Sequence, residues 1–562
     1  MNKLSGGQAA VESLKAEKVE YVFGLIGSAT MEIFDALYDA DEIKFVGVHD
    51  ERTGTHMADG YARASGQPGV ILAGQNGPGT TNLVTGLAQA AAAFSPVVSI
   101  AGSLSSGHVY RDAFQEVDQQ ALFTPVTKKT WTVTRTERIP EMFRDAFRTA
   151  LTPRRGPVQL NLPRDILSAT ADYDDFQSAQ QYRCHSLPWA AQDDVMNAAS
   201  LLRSAKRPVI ITGGGIKSNG GYVEVLGLAE ALNAPVATAP GHGDVIPFGH
   251  PLNAGQMGPR GNIVASRLVK QADVILALGT RLGFNSTFYS YENINQQAKI
   301  IHVELEPTAI GRYFPVEMGI WADAKTTAKQ LTEAISKIDV HAEVAAWTDQ
   351  YQQERTVYLE TRDREADTET FPIQPSGLYK TLRDVLPKNS AITLDAGTLC
   401  LQATDALHYW EPPCLFSPLD FGLVGFSFAC GLGVKLARPD RAVVSLMGDG
   451  GFGMTLSELS TAVEHEINTV TIVMNNQCWG AEKAYQRDFF GERYIGADVK
   501  SPPFDKVAEL YGAAGFRVDR VCDIDDAVNT ALGCGKPAVI DVAMDPDALY
   551  SFRRDSFTHR TK

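Results

Sequence analysis

The chain has 562 residues, 44% of them hydrophobic and 21% charged, with a net charge of −15. That is too long for one hydrophobic core, and at roughly 100 to 200 residues per domain it predicts three domains. An acidic chain with no Lys/Arg run argues against a nucleic-acid surface, no apolar run reaches the ~18 residues of a membrane span, and seven cysteines without a CxxC pair predict reduced core residues, not disulfides or zinc.

The opening "MNKLSGGQAAVESLKAEKVEYVFG" reads as an amphipathic helix running into a strand, with no signal pattern, which makes the cytoplasm the expected location. Short β-branched runs then recur, separated by helical periodicity. They are "YVFGLIG", "KFVGVHD", "GVILAG" and "VVSIAGS"; then "PVIITGGG", "DVILALG" and "KIIHVELEP"; and finally "AITLDAG", "AVVSLMGDG", "TVTIVMNN" and "AVIDVAM". Apolar runs with helices between them predict parallel sheets covered on both faces. The fold class is therefore α/β, with three doubly wound parallel-sheet domains at 1–182, 190–340 and 372–550. The polar stretch 172–194 and the charged, helix-forming stretch "YQQERTVYLETRDREADTETFP" separate them.

In the first domain, "KFVGV" ends in "HDERTGTHMADGYAR", which puts Glu51 at the start of a helix, where the helix dipole alone favours an acid. In the second, "RPVIITGGGIKSNGG" is a glycine-rich turn that lacks the GxGxxG spacing. In the third, "AVVSLM" and "TVTIVM" read as strands joined by a helix with Leu456, Leu459 and Val463 on one stripe. A right-handed crossover makes those strands parallel, so Asp449 and Asn476 emerge at one sheet edge. A carboxylate, an amide oxygen and a carbonyl near Cys478 suit Mg²⁺ or Ca²⁺ completed by phosphate oxygens. Gly448, Gly450 and Gly451 let backbone approach a phosphate at a helix N-terminus. Read blandly, Gly-Asp-Gly is a turn and Asn-Asn a strand stop.

Gly-Asp-Gly followed at this distance by Asn-Asn resembles the diphosphate and metal motif of thiamine diphosphate enzymes, and the resemblance extends over nearly the whole chain. It implies pyrimidine-binding, central and diphosphate-binding domains in that order, with Asp449, Asn476 and the carbonyl of Cys478 as Mg²⁺ ligands. The cofactor-binding set it implies is Glu51, Gly397, Val424, Gly448, Asp449, Gly450, Gly451, Asn476, Trp479 and Gly480. Glu51, eight residues before Asp59, would bond the aminopyrimidine ring and favour the tautomer that removes the thiazolium proton. Gln75, Phe114, Gln115 and Lys128 would line the reaction pocket. Because Glu51 of one chain would meet the diphosphate site of another, the resemblance implies a homodimer or homotetramer. Relatives hold FAD, ADP or nothing in the central domain, and the sequence leaves all three open.

The reaction expected is that of an acetolactate synthase-like carboligase: pyruvate is decarboxylated and its hydroxyethyl unit passes to a carbonyl acceptor. The alternative is sulfoacetaldehyde acetyltransferase, which "CWGAEKAYQRDFFGERYIG" and the terminal "FRRD" resemble. A non-catalytic binding protein on the same fold is a third reading. The synthase pattern has a Gln-Trp pair where Ala484 and Tyr485 stand here. That leaves Trp479, Glu482 and Lys483 as acceptor-pocket candidates, and Arg553 and Arg554 as an anion clamp or a solvated tail.

Overall fold

A computed structural model describes residues 2–174, 176–335 and 341–552, so Arg553 and Arg554 lie outside the described residues. Among the described residues the apolar runs pair into three six-stranded sheets, and a two-stranded ribbon joins Asn2–Ser5 antiparallel to Thr170–Tyr173. Strands Gly69–Ala73, Pro208–Thr212 and Val274–Leu278 are buried at every position, as strands covered on both faces must be. All ladders within the three sheets are parallel. The fold is the expected α/β architecture of parallel sheets with helices between.

The N-terminus differs from expectation. Residues Asn2–Ser5 form a strand, and the helix starts only at Gly6, where Ser5 and Gln8 make a capping box. The alternation needed to show a strand is too short to read over four residues. The cysteines also differ in part: all seven are free, but Cys184 and Cys522 are exposed and Cys534 is half-buried.

The chain forms two compact bodies: Met1–His185 with Phe428–Asp440 and Thr455–Thr469, and Ser186–Ser427 with Arg441–Met454 and Val470–Lys562. In the second body the sheet order is Leu415–Phe416, Ala391–Leu394, Val443–Gly448, Val470–Asn475, Ala538–Ala543, Ala514–Val518. The parallel register sets Leu394 opposite Leu446 and Gly448 opposite Met474. Asp395, Asp449 and Asn476 therefore each follow the last residue of one of three adjacent strands. The charged helix Ala342–Arg364 is more than a connector, because Trp347 and Tyr351 are buried in it and the Tyr351 hydroxyl donates to the Asn253 carbonyl.

In the first body, helix Glu51–Ser65 is capped by Asp50, whose carboxylate accepts from Arg52 N at 2.7 Å. Nearly every residue of this helix is buried, because small residues let its neighbours come to backbone distance. The helix Glu458–Glu464 corrects the expected stripe. Its most buried residues are Glu458, Leu459, Thr461 and Ala462, whereas Val463 is half-buried and Leu456 precedes the helix. The reason is polar: Glu458 accepts from His49 N at 3.1 Å and from the Thr53 hydroxyl, while Thr461 donates to the Gly47 carbonyl at 3.0 Å.

The closest helix approach gives a test. A Cβ on Gly433 would stand 1.9 Å from the Met57 carbonyl oxygen. Gly433→Ala should cost about 3 kcal/mol, the upper end for overpacking, because backbone and not a flexible side chain is in the way. Gly227→Ala, where a Cβ meets open space within helix Tyr222–Leu232, should be neutral or stabilising by up to ~1 kcal/mol. Urea unfolding of both variants measures the contrast.

Candidate functional site

Asp449 opens the short helix Asp449–Gly453 and is 1% exposed. A carboxylate taken out of water needs donors or a cation. Burial pushes its pKa up, and the Ser501 hydroxyl, which donates to Oδ2 at 2.6 Å, pulls it back together with backbone amides of Asp449, Gly450 and Asn476. One end of the buried Asn476 amide faces Asp449 Oδ1 at 3.3 Å and the Cys478 carbonyl oxygen at 3.1 Å. With its nitrogen there, the amide donates to both. Turned the other way, three acceptor oxygens face one another at separations close to the roughly 3 Å edge of an octahedral site with ~2.1 Å metal–oxygen bonds. Oxygens so placed repel unless a cation sits among them, so the donor set fits a hard divalent ion. Among the described residues no three His, Cys, Asp or Glu side chains form a metal-binding cluster; this site uses one carboxylate, one amide and one carbonyl.

Glycines surround it in two ways. Gly448 and Gly397 have open space where a Cβ would stand, and Gly397 has φ 123°, so backbone is left accessible for a phosphate. Gly450 and Gly451 are packed: a Cβ there would come within 2.6 Å of the Trp479 ring and 2.5 Å of Asp395 Oδ2, with Val424 Cγ1 at 3.4 Å from the latter position. A Cβ on Gly480 would lie 3.3 Å from Asn476 Nδ2 and 3.4 Å from Thr398 Oγ1. The structure thus brings together the predicted residues Val424, Gly448 to Gly451, Asn476, Cys478, Trp479 and Gly480.

Two residues of this site escaped sequence reasoning. Asp395 is buried and accepts from Ala396 N at 2.8 Å, Gly425 N at 3.0 Å and Phe426 N at 3.2 Å, which fixes the loop carrying Val424. Its signal was available: it follows "AITL" as Asp449 follows "VVSLMG". Ser501 has no such signal, since only the tertiary fold brings it to Asp449.

In the first body Glu51 is 3% exposed, and its Oε2 accepts from Asn82 Nδ2 at 2.9 Å. Gly79 leaves room beside Oε1, where a Cβ would come to 2.9 Å. Burial pushes the Glu51 carboxyl up and the Asn82 bond lowers it. Gln75 and Gln115 meet: the Gln75 amide donates to Gln115 Oε1, the Ser28 hydroxyl donates to Gln75 Oε1 at 3.1 Å, and Asn76 Nδ2 donates to the Gln115 carbonyl at 3.1 Å. Phe114, expected in the pocket lining, stands 83% exposed. Lys128 has partners of its own. Its ammonium donates to the Thr149 and Thr152 carbonyls at 2.7 and 2.9 Å, at the carboxyl end of helix Ile139–Leu151, where unpaired carbonyls attract a cation. Desolvation and then Arg154 lower it to about 8. Among the described residues no hydrogen bond joins it to Gln75 or Gln115.

After Asn476 the chain enters helix Gly480–Phe489. Glu482 is exposed and Ala484 buried, while Lys483 pairs with Asp498 at 2.8 Å. Arg487 pairs with Asp488 at 2.7 Å and donates to the Leu549 carbonyl at 3.1 Å. The Tyr485 ring lies 5.9 Å from that of Phe552.

Comparison with known proteins decides the family. Residues 4–122, 195–331 and 395–542 match, in turn, the N-terminal TPP binding, central and C-terminal TPP binding domains of thiamine pyrophosphate enzymes. The chain belongs to that family. It is similar to a probable acetolactate synthase large subunit of Methanococcus aeolicus, 33% identical over 98% of this chain and 93% of the relative. It is equally similar to a sulfoacetaldehyde acetyltransferase of Alcaligenes xylosoxydans xylosoxydans, 34% identical over 99% and 96%. Acetolactate synthase isozyme 3 large subunit of Escherichia coli (strain K12) is 31% identical over 95% and 93%. The protein is a thiamine diphosphate enzyme of the acetolactate synthase and sulfoacetaldehyde acetyltransferase group, with transferase-type activity. Among the described residues no helix is long and apolar enough to cross a membrane.

Asp395 gives this thiamine diphosphate enzyme a pH signature. Burial raises its carboxyl to about 7 from an ordinary 3.8. The folded chain then holds a proton that the unfolded chain has lost, so this contribution is present below about pH 4 and disappears as pH rises through about 7. Asp395→Asn removes that titration. The stability of the parent relative to the variant should therefore fall between pH 4 and pH 7, as read from thermal midpoints at matched ionic strength; a constant difference would contradict it.

Proposed function

We propose that the enzyme is a carboligase that decarboxylates pyruvate and joins the resulting two-carbon unit to a carbonyl acceptor, with domains at 1–182, 190–340 and 372–550. Thiamine diphosphate supplies the carbon nucleophile and electron sink when bound. Asp449, Asn476 and the Cys478 carbonyl would hold Mg²⁺, and the open backbone at Gly397 and Gly448 would receive the diphosphate. Val424, steadied through Asp395, would support the thiazolium ring. Glu51 accepts from one side chain, Asn82, on Oε2, and Gly79 leaves room beside Oε1, which would carry a proton toward the pyrimidine nitrogen. Gln75 and Gln115, already bonded to each other, would orient the substrate by their amides.

The acceptor reading rests on one observation, the pairing of Lys483 with Asp498 and of Arg487 with Asp488. A doubly charged phosphate needs at least two cationic or donor groups turned to it to offset desolvation, and both described cations of this helix are already neutralised. A neutral carbonyl makes no such demand. The second reading, phosphate as acceptor and sulfoacetaldehyde as donor, is favoured by the 34% identity to the acetyltransferase relative. Neither reading has a net redox step, so FAD has no part in the chemistry. The glycine turn after Pro208–Thr212 is itself filled: a Cβ on Gly215 would meet Gly279 Cα at 2.7 Å, and Lys217 is held by Asp244 at 2.7 Å. We propose that the central domain acts structurally here.

Incubating the purified enzyme, thiamine diphosphate and Mg²⁺ with pyruvate, and separately with sulfoacetaldehyde plus phosphate, tests the acceptor. Acetolactate or another acyloin is expected from the first mixture. Acetyl phosphate and sulfite from the second, with nothing from the first, would replace the carboligase by the second reading.

The proposed assembly is a homodimer, alone or doubled into a homotetramer, in which Glu51 of one copy serves the diphosphate site of the other. Glu51→Gln and Asp449→Ala should each abolish activity. Unfolding and refolding them together should restore about a quarter of the parental rate, since half of the dimers are hybrids and each hybrid has one intact site. No recovery on mixing would mean that each site is built from a single chain.

A further inference from the structure

The segment 497–501 lies across the end of the metal loop and is pinned to it at successive points. Trp479 N donates to the Ala497 carbonyl at 2.7 Å, Val499 N donates to the Gln477 carbonyl at 2.9 Å, and Cys478 and Asp498 form an antiparallel bridge. Ser501 N donates to Gln477 Oε1 at 3.1 Å, Gln477 Nε2 donates to Asn475 Oδ1 at 2.7 Å, and Asn475 Nδ2 donates to the buried Asp541 at 3.0 Å. Phe504 N and Arg517 hold the other Asp541 oxygen at 3.0 and 3.1 Å. This chain of bonds ends on the Ser501 hydroxyl, which donates to Asp449 Oδ2 at 2.6 Å. The two oxygens of Asp449 are thereby given different work: Oδ2 is occupied, and Oδ1 alone faces Asn476 and the Cys478 carbonyl.

Resting on the reading of Asp449, Asn476 and Cys478 as the metal site, we propose that Ser501 is a positioning residue that selects the ion. By holding Oδ2 it restricts Asp449 to one coordinating oxygen. A single oxygen from the carboxylate suits the octahedral shell of Mg²⁺, whereas Ca²⁺ takes six to eight oxygens and accepts a carboxylate through both. Removing the hydroxyl frees Oδ2 to turn toward the ion and improves the site for Ca²⁺ at the expense of Mg²⁺.

The test is calorimetric titration of the cofactor-stripped full-length protein with Mg²⁺ and with Ca²⁺, each in the presence of thiamine diphosphate. In Ser501→Ala the ratio of the Mg²⁺ to the Ca²⁺ dissociation constant should rise about tenfold over the parent, and Ser501→Thr, which keeps the hydroxyl, should restore the parental ratio. Gln477→Ala, an exposed position that leaves Ser501 present but unanchored, should shift the ratio in the same direction by less. Equal ratios in the parent, Ala and Thr proteins, or loss of both ions to the same extent in Ser501→Ala, would overturn the proposal while leaving the metal site standing. Absence of divalent-dependent cofactor binding in the parent would instead overturn the metal site itself, and the role of Ser501 with it.

Discussion

Side chains on the inner strands of a parallel sheet covered on both faces meet mostly apolar neighbours, so a charge along their length needs partners of its own, as Asp541 has in Asn475 and Arg517. Strands Ala391–Leu394 and Val470–Asn475 are buried at every position, and Val443–Gly448 at all but its last. Most polar chemistry is therefore left to the strand ends, and right-handed crossovers deliver the carboxyl ends of neighbouring strands to one edge. Asp395, Asp449 and Asn476 are the first residues past that limit on three adjacent strands. The same burial that brings them together obliges each to find a partner. Asp395 finds three backbone amides, Asp449 finds Ser501, and Asn476 turns to Asp449 and the Cys478 carbonyl.

What a buried acid can do depends on how completely it is satisfied, and the first body holds both cases. Glu458 accepts from His49 N, 3.1 and 3.3 Å from its two oxygens, and from the Thr53 hydroxyl, so its two oxygens are taken up in joining helix Glu458–Glu464 to the segment from Gly47 to Thr53. It has nothing left to offer a ligand. Glu51 is equally buried but has one side-chain donor, Asn82, and a glycine at the other oxygen. An acid left short of donors has its carboxyl pushed up, and Glu51 is so raised. The distinction between scaffold and site is thus a count of donors, not a difference in residue type.

The sequence carried the central strands and the Asp449 and Asn476 pair because these depend on local order: a β-branched run, its end, and a polar residue just after it. Edge strands such as Leu415–Phe416 and Ala514–Val518 are short or half-exposed and leave no such run. The helix after Asp449 was misread for a different reason. Its buried face contains Glu458 and Thr461, whose partners come from some four hundred residues earlier, and hydrophobic periodicity assigns a buried acid to solvent. Lys128 shows a local contact the sequence reading did not supply: a helix end close in sequence takes up its ammonium. Ser501 was invisible because its meaning lies wholly in a tertiary contact.

The region after the two asparagines is held by contacts of its own. Trp479 packs its ring against Gly450 and donates its backbone N–H to the Ala497 carbonyl, so the loop after Asn476 is closed before helix Gly480–Phe489 begins. Side chains farther along that helix are held by local partners, Lys483 by Asp498 and Arg487 by Asp488 and Leu549. Replacing one of these pairs alters the local charge without removing a donor from Asp449 or Asn476. Changes in the helix and changes at the strand ends can therefore occur separately. In physical terms, the strand-end residues and the ion pairs of this helix are independent parts of one chain: the pairs are only partly exposed, and such pairs are worth little to stability, so they can be exchanged at small cost to the fold.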